Sequence, residues 1–153
     1  MWNASADPAG PTTVEILGAP NNPDGLPLTP LVKNASRVLC DHVYNWGWNH
    51  FAPTNLHCDV SIFSFSKATG HCASRVGWAF IKDPEIYAAA AEYNKFTIGG
   101  VAVEAQARAA TVLHHIVATN GSFFTHGRAV LEERWDQLDT VLPKCIASGV
   151  IVS

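Results

Sequence analysis

The stretch SIFSFSKATGHCASRVGW, residues 61 to 78, decides how the rest of the chain is read. An apolar, aromatic run leads into Lys67, and Gly70 marks a turn just beyond it. An ammonium group at the end of a buried strand loses its hydration, and its pKa falls. A lysine in that position suits an amine nucleophile that condenses with a carbonyl. Ser64 and Ser66 supply hydroxyl donors nearby, and Arg75 supplies a planar fork suited to phosphate. Together these residues describe a phosphate-bearing aldehyde tethered to Lys67. Taken alone, the same stretch also reads as a strand edge with a solvated lysine and a structural arginine. The neighbouring segments have to separate the two.

Working outward, 153 residues of which 48% are hydrophobic and 15% charged suit one globular domain with a core. A net charge of -3 without any cluster of Lys or Arg argues against nucleic acid or an anionic membrane surface as main partner. No apolar run approaches the ~20 residues of a spanning helix. The opening MWNASADPAGP lacks the basic start and apolar segment of a signal peptide, so the chain reads as soluble, with its compartment unknown. Cys40, Cys58, Cys72 and Cys145 form no C-x-x-C pair and lie in apolar surroundings, the habit of reduced core cysteines. His57-Cys58 and His71-Cys72 suggest zinc. Adjacent side chains of an extended segment point to opposite faces, however, so each pair offers one ligand, and no metal site is expected. Asn3, Asn34 and Asn120 each head an N-x-S sequon and are read as chance occurrences.

Along the chain, Val14 to Leu17 reads as a strand that stops at the turn GAPNNPDG. Leu28 to Asn34 reads as a helix or helical turn, and Arg37 to Asp41 as a second strand ending on an acid. Strands with polar residues at their ends are the layout of an open α/β sheet, whose sites lie beyond the strands' C-terminal ends. Tyr44 and an aromatic loop with Trp46, Trp48, His50 and Phe51 follow, either an ordinary packed loop or a pocket wall. Cys58 to Ser66 is expected as the strand before Lys67, with Arg75 to Ile81 as its antiparallel partner. Asp83-Pro84 then opens a helix with Ile86, Ala89, Ala90 and Tyr93 on one face. A second amphipathic helix runs from Val101 to Val117 and ends near Asn120-Gly121, and a third runs from Phe124 to Leu142.

Asn22-Pro23-Asp24-Gly25, Asp41-x-x-Tyr44 and Ser64-x-x-Lys67 followed by Arg75 fall in that order. Together they resemble the fold type I enzymes that use pyridoxal 5'-phosphate (PLP), the aspartate aminotransferase superfamily. Within it, NNPDG, the Tyr-Trp-His-Pro order of the aromatic loop, SFSKATGH and SRVGWAFIKD are similar to the alliinase and tryptophan aminotransferase-related family of plants. The resemblance implies an α/β fold: part of the large PLP-binding domain, a mixed, mostly parallel sheet with helices. It spans residues 1–142, with a divergent tail at 143–153.

The resemblance also implies roles. Lys67 holds PLP as a Schiff base and then moves the Cα proton. Asp41 pairs with the pyridine nitrogen, Asn22 and Tyr44 donate to the phenolate oxygen, and Ser64, Ser66 and Arg75 bind the phosphate. The substrate is an amino acid. Transamination of an aromatic amino acid is the first reading, carbon-sulfur lysis of a cysteine sulfoxide the second, and an inactive fragment the third. Departures from the pattern are Cys72-Ala73 where the family has Ala-Gly, the longer Trp46 to His50 loop, and the tail. If that glycine needs a positive φ, Ala73 costs on the order of 1 kcal/mol. Family members are longer, so the chain reads as partial, the full-length enzyme as a homodimer, and the isolated piece, with exposed apolar patches, as poorly soluble or partly disordered.

Overall fold

A computed structural model describes residues 13–26, 29–32, 34–45 and 58–148. Val14–Gly18 forms β1, Arg37–Asp41 β2, Val60–Ser64 β3 and Gly77–Ile81 β4. They make one sheet in the order β1-β2-β3-β4, the first three strands parallel and β4 antiparallel to β3. The class is α/β with a mostly parallel mixed sheet, as the resemblance implies.

Period-two alternation sorts the two faces of this sheet. In β1, Glu15 and Leu17 are buried while Val14 and Ile16 are exposed. Leu17 is the register partner of Cys40, so Cys40 shares its face, and Leu17, Cys40 and Cys58 form the core with Val38 packed against them. Phe63 extends that face, stacking on His42 at 5.1 Å and on Trp78 at 5.7 Å, with Phe80 edge-on at 5.6 Å. Asp41, one residue beyond Cys40, falls on the opposite face.

The cysteines correct the sequence reading. Cys40 and Cys58 are joined in a disulfide, with Cα atoms 5.9 Å apart, while Cys72 and Cys145 are free. The two sulfurs meet because β2 runs parallel to the segment entering β3, a tertiary fact that spacing alone does not reveal. Closing a loop over a separation of 18 residues stabilises the fold by about 3 kcal/mol in the chain-entropy picture. Asp59 reinforces the same junction: its N–H donates to the Val38 carbonyl at 2.8 Å, and its carboxylate accepts the Val38 N–H at 2.8 Å.

Two element boundaries also differ from expectation. The strand before Lys67 ends at Ser64, because the Ser64 hydroxyl accepts the Ser66 N–H at 3.1 Å and caps a short helix, α1 (Phe65–Thr69). Gly70, at φ 77, ends α1 in the left-handed region. Among the described residues of the 28–34 segment there is no helix. The buried Glu15 carboxylate instead accepts the backbone N–H of Leu31 at 2.7 Å and of Val32 at 3.4 Å, holding that segment against β1. The aromatic loop from Trp46 to Phe51 lies outside the described residues.

Helices α2 (Pro84–Thr97), α3 (Val103–Ala118) and α4 (Ser122–Ala147) follow the expected order. The Asp83 side chain accepts the N–H of Glu85 at 2.9 Å and of Ile86 at 3.4 Å, and Pro84 opens α2. Those two backbone donors, followed by the Arg37 guanidinium, hold the Asp83 carboxyl below its ordinary range. Asn120 and Gly121, at φ 51 and 72, close α3, and the Gly121 N–H returns to the Ile116 carbonyl at 2.8 Å. The helices have the expected periodicity, yet α2 and α4 bury no residue. The sheet, α2 and the chain to Leu113 belong to one compact unit, and the residues from His114 through α4 belong to a second. No described helix is long and apolar enough to cross a membrane.

Candidate functional site

Beyond the C-terminal ends of β1 and β2 lies a cavity of about 300 Å³. Its walls include Ile16, Pro20, Asn22, Asp41, Val43 and Tyr44. A position beyond parallel strand ends is where open α/β sheets hold ligands. The volume is at the lower end of small-molecule pockets.

The turn Asn21 to Leu26 positions Asn22. Its backbone closes through Asn21 N–H to the Leu26 carbonyl at 2.8 Å and Gly25 N–H to the Asn21 carbonyl at 3.0 Å. The Asp24 carboxylate accepts the Asn21 side-chain amide and the Leu26 N–H, each at 3.0 Å. This bracing leaves the Asn22 amide to face Tyr44, and its Nδ2 lies 3.5 Å from the phenol oxygen. Asp41 ends β2, and one carboxylate oxygen accepts the Val43 N–H at 3.0 Å, which fixes its rotamer. Gly18 permits the tight approach, since a Cβ there would meet the Asn21 Cα at 3.0 Å.

Lys67 stands on α1, and its Nζ lies 5.6 Å from the centroid of the Tyr44 ring. It is exposed, so the expectation of a lysine held away from water at a strand end fails for this chain. Tyr44 thus links the lysine to the cavity wall. Ser64, Ser66, Lys67 and Arg75 do not line the cavity itself. Ser66 is buried, and its carbonyl lies 3.5 Å from the Cys72 sulfur. Arg75 is exposed and donates to the Cys72 carbonyl at 3.2 Å. The antiparallel register pairs Ser64 with Gly77, which brings the Arg75 backbone back beside the start of α1.

The strain expected at Ala73 appears elsewhere. Ala73 sits in a 3-10 turn, Cys72–Ser74, without a positive φ, and the left-handed residue is Arg75, at φ 51. A non-glycine residue there costs roughly 1–2 kcal/mol. Gly77 is the glycine that the motif cannot exchange: a Cβ would stand 2.8 Å from the Phe63 carbonyl oxygen. Sequence reasoning passed over Ile16, Pro20 and Val43 as cavity walls. Their only signal was proximity to the strand ends, which many apolar residues share.

One carboxylate, two amides, one phenol and a nearby primary amine suit a small heteroaromatic ring with a basic nitrogen, a phenolic oxygen and a carbonyl. These donors fit the ring of PLP, while the residues expected at its phosphate stand outside this cavity.

Residues 2–148 match the family model described as Allinase, for the C-terminal alliinase region. Tryptophan aminotransferase-related protein 4 of Arabidopsis thaliana is 35% identical over 131 residues, covering 84% of this chain and 28% of that protein. Alliin lyase of Allium cepa var. aggregatum is 33% identical over 140 residues, covering 86% of this chain and 31% of that protein. Alliin lyase 2 of Allium sativum is 35% identical over 138 residues, covering 84% and 28%. The chain spans less than a third of the length of these curated relatives.

Proposed function

From the premise that this chain belongs to the alliinase family, we propose that it is the lysine-bearing part of a PLP-dependent enzyme acting on amino acids. The observation that carries the reading is the convergence of Asn22, Asp41 and Tyr44 on one cavity, with the Lys67 amine 5.6 Å from the Tyr44 ring. When bound, PLP supplies an electron sink for the carbanion left at the substrate Cα.

The chain's own residues divide the work. Lys67 Nζ would hold the cofactor carbonyl and would serve as the base at the substrate Cα proton. Asp41 would hold the proton on the pyridine nitrogen. Asn22 and Tyr44, whose polar atoms stand side by side, would donate to the phenolic oxygen. Ser64 and Ser66 hydroxyls and the Arg75 fork would bind the phosphate, Arg75 after turning from the Cys72 carbonyl. The domain so assigned is residues 1–142, and a homodimer is the assembly proposed for the complete enzyme.

Transamination of an aromatic amino acid, with an oxo acid as acceptor, is the reaction we assign first. Relatives named for alliin lysis keep β-elimination from a cysteine sulfoxide as the second reading. Both use every residue above and part only in the fate of the carbanion. Borohydride reduction of the chain with PLP, followed by peptide mapping, tests the common core. A pyridoxyl group on Lys67 is the expected result. Label scattered over other lysines, with Lys67 unmarked even in a chain extended to the length of its relatives, removes the proposal. Labelling only in the extended chain identifies the 153 residues as an inactive fragment. With the extended chain, L-tryptophan plus pyruvate against an S-alkyl-cysteine sulfoxide then separates the two reactions.

A further inference from the structure

The proposed site is split between two sides of the sheet. Asn22, Asp41 and Tyr44 belong to the ends of β1 and β2, whereas Ser64, Lys67 and Arg75 belong to the β3–β4 side. The sheet joins them through β2 and β3, which pair over the three positions Leu39–Asp41, while β1–β2 and β3–β4 each pair over five. The shortest pairing in the sheet therefore runs through the middle of the site. Across this seam lies the Cys40–Cys58 bond, with Cys40 adjacent to Asp41 and Cys58 two residues before β3.

We propose that the Cys40–Cys58 disulfide positions the two halves of the site against each other, and that its reduction by a dithiol weakens cofactor binding. The proposal rests on the PLP reading of the site. Cys40 and Cys58 act through β2, which carries Asp41, and through β3, which leads into the helix that carries Lys67. In the reduction, the S–S bond breaks and the two sulfurs take two electrons and two protons from the dithiol, which closes to its own disulfide. Both cysteines are buried, at 0% and 3% exposure, so a dithiol reaches the bond only when the seam opens. Besides the disulfide, the seam is held by its short ladder, the Asp59 bonds to Val38, the His42 N–H to Ile62 carbonyl bond at 2.9 Å and the Lys67–Tyr44 contact.

The test compares the oxidised chain, the dithiol-reduced chain and a Cys40→Ala/Cys58→Ala variant. Peptide mapping of denatured, unreduced protein should find Cys40 linked to Cys58 and alkylation at Cys72 and Cys145. Alkylation of Cys40 and Cys58 there overturns the proposal. In PLP titrations read by borohydride labelling of Lys67, half-saturation should rise about tenfold on reduction, as when one molecule in ten keeps the competent arrangement. The variant should match the reduced chain and ignore the dithiol, and at saturating PLP all forms should label equally. Amide exchange should quicken at the His42 and Asp59 N–H groups across the seam and stay unchanged at the Phe65 N–H, which bonds to Val76 in the β3–β4 pair. Equal half-saturation in all forms, or exchange that quickens uniformly, refutes the positioning role. A ring nitrogen of His42 and the two sulfurs all lie within 4.8 Å of one another. If one Zn²⁺ per reduced chain binds there and restores affinity, the pair is a metal site and the proposal fails. Absence of label on Lys67 in every form, and in the chain extended to the length of its relatives, with His42 exchange still responsive, refutes the cofactor reading and leaves the disulfide's hold on the seam standing.

Discussion

Asn22 and Tyr44 stand 22 residues apart in the chain and meet across a turn and a strand end, whereas Ser64, Ser66, Lys67 and Arg75 come from one continuous segment. The first group converges by tertiary packing, through the β1–β2 register and a turn braced by Asp24. The second is placed by local backbone geometry: a serine cap, Gly70 at φ 77 and Arg75 at φ 51. The contrast implies different failure modes. The strand-end half is lost when the sheet shifts, and the turn half is lost when one backbone conformation becomes unavailable.

The largest effect should separate the halves by chemistry. Lys67→Ala should abolish pyridoxyl labelling at that position, whereas Asp41→Asn, whose amide oxygen can still accept the Val43 N–H, should leave Lys67 labelled and suppress Cα proton exchange. Loss of labelling in both would merge the halves into one unit. Gly77→Ala is next, since its Cβ would meet the Phe63 carbonyl oxygen at 2.8 Å. Overpacking of this kind costs about 1–3 kcal/mol, so chemical denaturation should report a lower midpoint. An unchanged midpoint would mean that the start of β4 is looser than its pairing indicates. Arg75→Gly should relieve roughly 1 kcal/mol of left-handed strain and raise stability while weakening phosphate retention. Opposite signs in the two measurements would show strain kept at a binding residue.

Asp83 lies outside both halves and provides the smallest expected change. Its carboxyl is held low by the N–H groups of Glu85 and Ile86, then by Arg37. A depressed carboxylate contributes stability above its unfolded pKa, and that contribution disappears as pH falls through the folded value. Acidification below the ordinary carboxylate range should therefore fray the first turn of α2, seen as faster amide exchange at Glu85 and Ile86. Asp83→Ala should reproduce this at neutral pH without altering Lys67 labelling.

These contrasts also explain what could be read from the sequence. β1, β2 and the β3–β4 hairpin were legible because alternation and turn residues are local signals, and the Asp83-Pro84 cap was legible for the same reason. The end of β3 was not, since Phe65 and Ser66 continue the strand's alternation and only the Ser64 cap turns them into α1. Residues 29–32 escape a helical reading because a buried carboxylate on another element, Glu15, takes their N–H groups. The disulfide depended on parallel register between distant segments. Of the site, residue types were legible in the motifs, but the exposure of Lys67 and the left-handed backbone at Arg75 required coordinates.

Ile16 gives the cavity a thermodynamic signature. It is an apolar side chain, 68% exposed, on the face of β1 opposite the buried Glu15 and Leu17, and it stands at the cavity wall with Pro20 and Val43. A flat ring lying in the cavity would take this surface out of water, and burial of apolar surface makes the heat capacity of association negative. A phosphate held only by the exposed turn around Arg75 would remove little apolar area. Titration calorimetry at several temperatures, with PLP against inorganic phosphate, would therefore show whether a ligand sits beside Asp41 or only at the edge of α1.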